Sequence, residues 1–222
     1  MRLIKGADIF SSQGEKLGTL DRVILDPDTK EVTHLVIAKG LLFKTNKVVA
    51  MDMLNPDIDE NITLLNPKHD LDEFEDFEET HYVNLEQTEN PSSDELELPK
   101  SYWYPPLNLA WWRAGGTDVP VTYPAAPLYV ARTEQNIPEG TVALEEGSKV
   151  LSRDGKHVGN IEEVIVDSED HRVTHFVVNE GFLFKERKLI PSTWISRIDE
   201  NEVHLSVASN VLERLPGYQT VE

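Results

Sequence analysis

Apolar and polar residues alternate with a period of two along much of the chain, which is the pattern of half-buried β-strands. In the first repeat of this pattern, a strand at 20–25 leads through a turn at 26–30 into a strand at 32–38, which predicts a β-hairpin. Asp26 followed by Pro27 favours that turn, because proline fixes φ and the aspartate side chain caps the following amide. Further short strands are predicted at 8–10, 47–53 and 62–65.

The same pattern returns 141 positions later, so the chain contains one small fold used twice. Residues 6–49 align with 147–190 without a gap, and sixteen of these 44 positions are identical. Five or six short strands with tight turns in each repeat predict a small β-barrel. Little helix is expected, apart from short turns at 192–195 and 210–215. The strands predicted for the second repeat are 149–151, 161–166, 173–178, 188–190 and 203–207.

Glycines recur at equivalent places in the two repeats. Gly14 and Gly155 lie in polar turns, where a positive φ is often required. Gly18 and Gly159 lie inside a strand pattern, which indicates a bulge or bend where a small sheet closes. These glycines therefore indicate backbone geometry, and the chain contains no glycine-rich nucleotide-binding fingerprint.

These turn and strand motifs resemble the PRC-barrel family. The resemblance lies in residues 14–18, 23–27 and 32–37, and again in 155–159, 164–167 and 173–178. It extends over about 3–65 and 145–207. The family is known from the H subunit of photosynthetic reaction centres and from the C-terminal half of a ribosome-maturation factor. The resemblance implies an all-β barrel that binds proteins or supports an assembly, and it supplies no catalytic residue.

The predicted fold is therefore all-β, with two small PRC-barrel-like domains joined by a long segment rich in proline and aromatic residues. The expected boundaries are 1–66 for the first barrel, 67–140 for the connecting segment, 141–215 for the second barrel and 216–222 for a C-terminal tail.

The formal net charge of −19 is concentrated in the connecting segment, because residues 66–140 carry 4 basic and 15 acidic groups. Such a charge repels phosphate backbones and anionic lipid, so direct binding of nucleic acid is not expected. The chain has no cysteine, which excludes disulfides and thiolate chemistry. No apolar run approaches the roughly 20 residues of a membrane span, and we expect no signal peptide because the first residues run directly into the first repeat. We expect a cytoplasmic protein, with peripheral association at a membrane complex as the alternative.

Residues 70–79 of the connecting segment contain seven carboxylates. Leu71, Phe74 and Phe77 recur every three residues, which would gather them on one side of a helical turn. One interpretation is an acidic docking strip for a basic partner. The other is a local turn whose phenylalanines pack on the first barrel while the carboxylates face solvent.

Residues 66–140 hold 9 of the 13 prolines, 3 of the 4 tryptophans and 5 of the 6 tyrosines. A solvated linker would lack these aromatics. Tyr104 and its neighbour Trp103 precede two prolines, and Trp111 and Trp112 follow shortly after. They either pack in a groove between the barrels or form an exposed patch for a protein partner or a membrane interface. The candidate partner contacts are Phe74, Phe77, Trp103, Tyr104, Trp111 and Trp112.

No catalytic, cofactor-binding or metal-binding residue is predicted. His34 and His175 occupy equivalent places, but no shared carboxylate or further histidine accompanies them, so a structural role is expected. The lysines at 44, 47, 185 and 188, with Arg187, are expected to be soluble hairpin tips, or else contacts for an acidic surface.

The sequence therefore favours a non-enzymatic protein-interaction or assembly module without a cofactor. Its partner would be a protein of unknown identity, and homo-oligomers are compatible with this interpretation. One alternative is an accessory factor of a membrane or photosynthetic complex, and another is an accessory protein in ribosome or RNA processing.

Overall fold

The computed structural model describes residues 1–40, 45–56, 62–65, 71–84, 129–180 and 186–219. Its contacts divide the chain into two compact units. Met1–Glu78 and Gln135–Glu222 together form the first unit, which contains both repeats, and Glu79–Glu134 forms the second.

The strands of the two repeats correspond one to one in the described residues. The first repeat contains β1 (Arg2–Ile4), β2 (Asp8–Ser11), β3 (Lys16–Leu25), β4 (Val32–Lys39), β5 (Thr45–Ala50), β6 (Leu54–Pro56) and β7 (Ile62–Leu64). Between the repeats lie β8 (Glu78–Asn84) and β9 (Tyr129–Gln135), which pair with each other. The second repeat contains β10 (Val142–Glu145), β11 (Lys149–Leu151), β12 (His157–Val166), β13 (Val173–Glu180), β14 (Lys188–Pro191), β15 (Ile195–Ile198) and β16 (Glu202–Leu205).

Helical structure is limited to single turns in the described residues. The α-helix α1 (Ser209–Leu212) follows β16, and 3-10 turns occur at Met51–Met53, Leu71–Glu73 and Ser192–Trp194. The predicted all-β fold class is thus confirmed. The strand predicted at 47–53 begins two residues earlier and ends three residues earlier than expected, because Met51–Met53 form the first of these 3-10 turns.

Each repeat contributes six strands, in the same order, to a seven-stranded sheet. The first sheet runs β5-β4-β3-β2-β7-β6, and the second runs β14-β13-β12-β11-β16-β15. The β2–β7 and β11–β16 pairs are parallel, whereas the other neighbours along both orders are antiparallel. The internal duplication seen in the sequence is therefore a duplication of topology.

The hairpin between β3 and β4 has the turn chemistry that its sequence predicts. Oδ1 of Asp26 accepts hydrogen bonds from the backbone N–H groups of Asp28, at 2.7 Å, and Thr29, at 3.0 Å. Lys30 closes the turn with φ = 64°, and its equivalent His171 has φ = 55°. Two non-glycine residues thus adopt the left-handed conformation at matching positions, which requires support from their surroundings.

Gly18 lies in β3, in close approach to the backbone of β4. The pairing of β2 with β3 shifts register beside it, which is the predicted bulge, and the equivalent shift occurs beside Gly159. A Cβ atom on Gly18 would lie 2.5 Å from the carbonyl oxygen of Ala38. Because that oxygen is backbone, only glycine permits the close approach of the two strands.

The main hydrophobic core extends through both repeats. The largest cluster of buried side chains includes Leu3, Leu20 and Val23 from the first repeat and Leu144 and Val164 from the second. A repeat of this size is marginal on its own by surface-to-volume scaling. Sharing the core therefore stabilises both copies.

Candidate functional site

The two repeats exchange their first strands. β1 pairs antiparallel with β12 of the second repeat, with Leu3 opposite Val164. β10 pairs antiparallel with β3 of the first repeat, with Leu144 opposite Val23. Since β1 and β10 occupy equivalent places in the two repeats, the exchange is reciprocal. Sequence reasoning did not predict either strand, although their alignment at the same shift of 141 residues was the available signal.

The turns that follow the long strands also meet. The backbone N–H of Val32 donates to the carbonyl oxygen of His171 at 2.9 Å, and that of Val173 donates to the carbonyl oxygen of Lys30 at 2.9 Å. Glu31 and Arg172 form an isolated β-bridge at the same place. This reciprocal pair explains how Lys30 and His171 are held at positive φ, since each carbonyl is used by the opposite repeat.

Charged side chains line the edge of the exchanged strands. Lys5 Nζ lies 2.6 Å from Glu145 Oε1 and 3.8 Å from Asp21 Oδ1, and the backbone N–H of Lys5 donates to Glu146 Oε2 at 2.9 Å. The hydrogen bond from Lys5 lowers the pKa of Glu145, and Arg22 adds to the effect. By contrast, burial raises the pKa of Glu146, although the Lys5 amide opposes this shift. The two adjacent carboxyls thus respond in opposite directions.

Glu163 is the most buried of these carboxylates, with only 2% of its surface exposed. It accepts hydrogen bonds from Arg2 Nε at 2.9 Å and from Arg2 Nη2 at 2.8 Å, and it also contacts the guanidinium of Arg187. The buried charge of Glu163 is therefore compensated by two arginines, Arg2 from the first repeat and Arg187 from the second. Such a charge would be costly without these partners.

Lys47 and Lys188 are not the exposed hairpin tips that the sequence analysis expected. They lie in β5 and β14 with 8% and 7% of their surfaces exposed. Lys47 Nζ donates to the carbonyl oxygen of Phe74 at 3.0 Å, and Lys188 Nζ donates to that of Leu215 at 2.6 Å. The expectation was wrong because both lysines bind the chain that follows their own barrel. Their identity in the two repeats was the missed signal.

Phe74 and Phe77 lie against the first repeat. Phe77 is fully buried in a cluster with Ile24 and Val36, and the Arg22 guanidinium lies 5.3 Å from its ring centre. Phe74 is partly buried and packs against the main core. This is the arrangement of the second interpretation above, in which the phenylalanines pack on the barrel. Contact of either residue with a partner stays a prediction.

Trp103, Tyr104, Trp111 and Trp112 lie outside the described residues, so their role as partner contacts also stays a prediction. The chain leaves the first unit after Glu78 and returns to it at Gln135. The backbone N–H of Asn136 donates to the carbonyl oxygen of Phe77 at 2.8 Å, and its side-chain amide donates to Asp76 O at 2.8 Å. The connecting segment therefore starts and ends at neighbouring points of the first unit.

His34 lies on β4, as expected. Burial lowers its pKa, and the nearby charge of Asp52 opposes the shift. His34 Nδ1 is buried and has no hydrogen-bond partner among the described residues. In that same part of the chain, no group of three or more histidines and carboxylates could hold a metal ion.

Asp154, Lys156 and Ser209 form a polar cluster beside α1. Asp154 Oδ1 accepts the backbone N–H of Ser209 at 2.8 Å, and Asp154 Oδ2 accepts the Ser209 hydroxyl at 2.9 Å. Lys156 Nζ donates to that hydroxyl at 3.1 Å. These bonds hold the pKa of Asp154 far below its usual range. The hydroxyl is committed to a carboxylate, so the cluster attaches α1 to the turn between β11 and β12.

The repeated strand order and turns define a tandem pair of small β-barrels with exchanged strands. The family model of the PRC-barrel domain matches residues 2–72 and 146–209. The protein belongs to the PRC-barrel family and contains two copies of its domain. No curated protein matches the chain. The described residues include no helix with the length and apolar character needed to cross a membrane.

Proposed function

We propose that this protein is a non-enzymatic interaction or assembly module that acts in the bacterial cytoplasm. The joined barrels would be the scaffold, and the connecting segment would carry the contact with a protein partner. The observation that carries this proposal is the pair of hydrogen bonds between Asn136 and the carbonyls of Phe77 and Asp76. The chain leaves the first unit after Glu78 and returns to it at Gln135, and the connecting segment joins these two points.

The residues shared by the repeats support a role in shape and contact. The identical positions include turn residues such as Gly14 and Asp26 and buried strand residues such as Val23, Ile24 and Val36. The identical lysines at 47 and 188 bind backbone carbonyls within the protein. Each of these groups therefore has an explanation in the fold.

The composition of the connecting segment supports its role as the contact. It includes three of the four tryptophans, and tryptophan and tyrosine are enriched where protein interfaces have their strongest contacts. Because Phe77 contributes to the core of the first repeat, we assign the contact to Trp103, Tyr104, Trp111 and Trp112 ahead of the phenylalanines.

Affinity purification from cells tests this assignment. The full chain is compared with a variant carrying Trp103→Ala, Trp111→Ala and Trp112→Ala, and we expect the variant to lose its partners. Met53→Ala with Leu65→Ala is the matched control, because both side chains are exposed and apolar but lie on the first barrel.

Recovery of the same partners at the same abundance by the triple variant would contradict the proposal, provided that both proteins unfold at the same temperature. The identity of the partners also decides between the alternative functions raised by the sequence. Subunits of a membrane complex or of the ribosome would select the corresponding alternative raised by the sequence.

A further inference from the structure

The exchanged strands bring together two surfaces that are equivalent in fold but opposite in charge. We call Arg2, Lys5, Asp21 and Arg22 the first exchange face, and Glu145, Glu146, Glu162 and Glu163 the second exchange face. The first contains three cations and one carboxylate, whereas the second contains four carboxylates. The shift of 141 residues places Lys5 on Glu146 and Arg22 on Glu163, so the sign is inverted at these two positions. The third equivalent pair, Asp21 and Glu162, is acidic in both repeats.

We propose that this inversion makes each exchange face specific for a PRC-barrel of opposite charge, so that unlike repeats pair and like repeats do not. In the structure, Arg2 Nη2 lies 2.8 Å from Glu163 Oε2, and Arg22 Nη2 lies 3.3 Å from Glu145 Oε2. The partner that fits the first exchange face is therefore the second repeat, from the same chain or from another copy.

Pairing of like repeats through the same register would bring like charges together. If two first repeats exchanged strands, Arg2 would face Arg22 at the place of Glu163, and Lys5 would face another Lys5 at the place of Glu146. If two second repeats did so, Glu145 would face Glu163. Like charges at an interface disfavour such pairs, and this repulsion gives specificity beyond that of the attractive contacts.

The backbone contacts alone cannot provide this selection. Each repeat offers an equivalent exchanged strand, and the reciprocal bonds from Val32 to His171 and from Val173 to Lys30 use only backbone atoms. Those contacts would form in any combination of repeats. The selection of unlike over like repeats must therefore come from side chains, and the two exchange faces are where the repeats differ in the sign of their charge.

The test uses the full chain with a site-specific protease sequence inserted after Asn90. After folding and cleavage, native mass spectrometry should show the two halves as a 1:1 complex at low ionic strength. The cleaved protein is then unfolded in urea and refolded, and unlike pairs should exceed like pairs by at least about tenfold over random pairing, equivalent to about 1.4 kcal/mol. Separation of the halves on cleavage, or random pairing on refolding, would overturn the proposal.

Charge variants identify the cause. Lys5→Glu should lower the preference for unlike pairs about tenfold. Adding Glu146→Lys should restore part of it, because the equivalent positions 5 and 146 then carry opposite charges again, while Glu145, which contacts the Lys5 ammonium at 2.6 Å, is unchanged. Lys16→Glu is the matched control, since its ion pair with Asp8 lies outside both faces and is exposed. Equal effects of Lys5→Glu and Lys16→Glu would sink the proposal.

A variant that does not refold after cleavage is measured in the uncut chain. There, the urea midpoint should fall for Lys5→Glu, recover in part with Glu146→Lys and change little for Lys16→Glu. Absence of any recovery would show that opposite charges at positions 5 and 146 do not favour the pairing, contrary to the proposal. This inference is independent of the partner proposed for the connecting segment.

Discussion

Lys47 and Lys188 occupy equivalent positions in the two repeats, and each donates a hydrogen bond to the chain that follows its own barrel. The acceptors are the carbonyl oxygens of Phe74 and Leu215, and both ammonium groups lie in largely buried surroundings. The chain segments that leave the two barrels are thus attached by the same device. Each structural repeat therefore extends beyond the last strand of its barrel, at least to Phe74 in the first and to Leu215 in the second.

Lys47→Met should destabilise the first unit because it removes the ammonium group while keeping a stem of similar length. The carbonyl of Phe74 would lose a buried partner, and the ion pair between Lys47 and Asp76 at 2.9 Å would be lost. We expect the free energy of unfolding to fall by about 1–3 kcal/mol. Urea denaturation measures this change, and Lys188→Met should have a similar effect.

Lys16→Met provides the control for both lysines, since Lys16 is exposed and pairs with an exposed Asp8. A surface ion pair of this kind contributes about 0–1 kcal/mol. If the three variants were equally stable, the two buried lysines would not attach the segments that follow the barrels.

Glu145→Gln and Glu146→Gln should have opposite effects at neutral pH. The folded pKa of Glu145 is depressed, so its contribution is present above the ordinary pKa and is lost as pH falls through the folded value. The folded pKa of Glu146 is raised, so ionised Glu146 costs stability once pH rises through that value. We expect Glu145→Gln to lower stability by about 0.5–1 kcal/mol and Glu146→Gln to maintain or raise it.

Urea denaturation at pH 7 and near pH 3 checks this pair of neighbours. Their difference in stability should shrink at the lower pH, because protonation makes each wild-type carboxyl resemble the glutamine that replaces it. A Glu146→Gln variant that is less stable than Glu145→Gln at pH 7 would contradict the assignment.

Asp154→Asn should lower the thermal unfolding temperature at neutral pH and flatten its dependence on acid. The carboxylate accepts both the amide and the hydroxyl of Ser209, and these bonds depress its pKa. Its stabilising effect is therefore present above the ordinary pKa of aspartate and is lost as pH falls towards the folded value. Scanning calorimetry between pH 2 and 7 measures the change, with Glu169→Gln as an exposed control. If the unfolding temperatures of Asp154→Asn and wild type changed with pH in parallel, the Asp154 carboxylate would not contribute the proposed stabilisation.

Gly18→Ala should destabilise the first barrel by about 1–3 kcal/mol, because overpacking forces strands apart. The new methyl group would lie 2.5 Å from the backbone oxygen of Ala38 and 2.9 Å from Cγ2 of Ile37. Thr19→Ala in the same strand is the control and should cost less than about 1 kcal/mol. Equal urea midpoints for the two variants would show that β3 and β4 separate easily.

The elements that were predictable from sequence are those formed by local contacts. The hairpin at 20–38 was evident from its alternation and from Asp26, whose side chain makes the expected bonds to the turn. The exchanged strands were not, because Arg2–Ile4 has only three residues and its partner lies about 160 positions away. Periodicity within a short window does not report such pairing.

The burial of Lys47 and Lys188 was predicted wrongly for a different reason. Lysine side chains are rarely buried, so both residues were expected to be exposed to solvent. Their burial depends on carbonyl groups supplied by the chain 27 residues further on, which no local pattern reveals. The opposite charges of Lys5 and Glu146 are adjacent to the aligned repeats at the same shift of 141 residues, but interpreting them required the knowledge that the two strands are exchanged.

Replacement of residues 81–132 by an Asn-Gly turn should leave the joined barrels folded. The ends are close, since the hydroxyl oxygens of Thr80 and Thr133 lie 3.3 Å apart and Asn136 bonds to Phe77. A two-residue turn can join chain ends that are this close, and a shorter connection costs less closure entropy. We therefore expect a cooperative urea transition with a midpoint equal to or above that of the full chain.

The same deletion distinguishes the two interpretations of the aromatic segment. If Trp103, Trp111 and Trp112 fill a groove between the barrels, their removal should cost several kcal/mol, since loss of one large core aromatic costs about 3–5 kcal/mol. If they serve a partner, stability should persist while affinity purification recovers nothing specific. A stable deletion variant that still binds every partner would instead place the contact on the barrels, where Met53 and Leu65 are exposed.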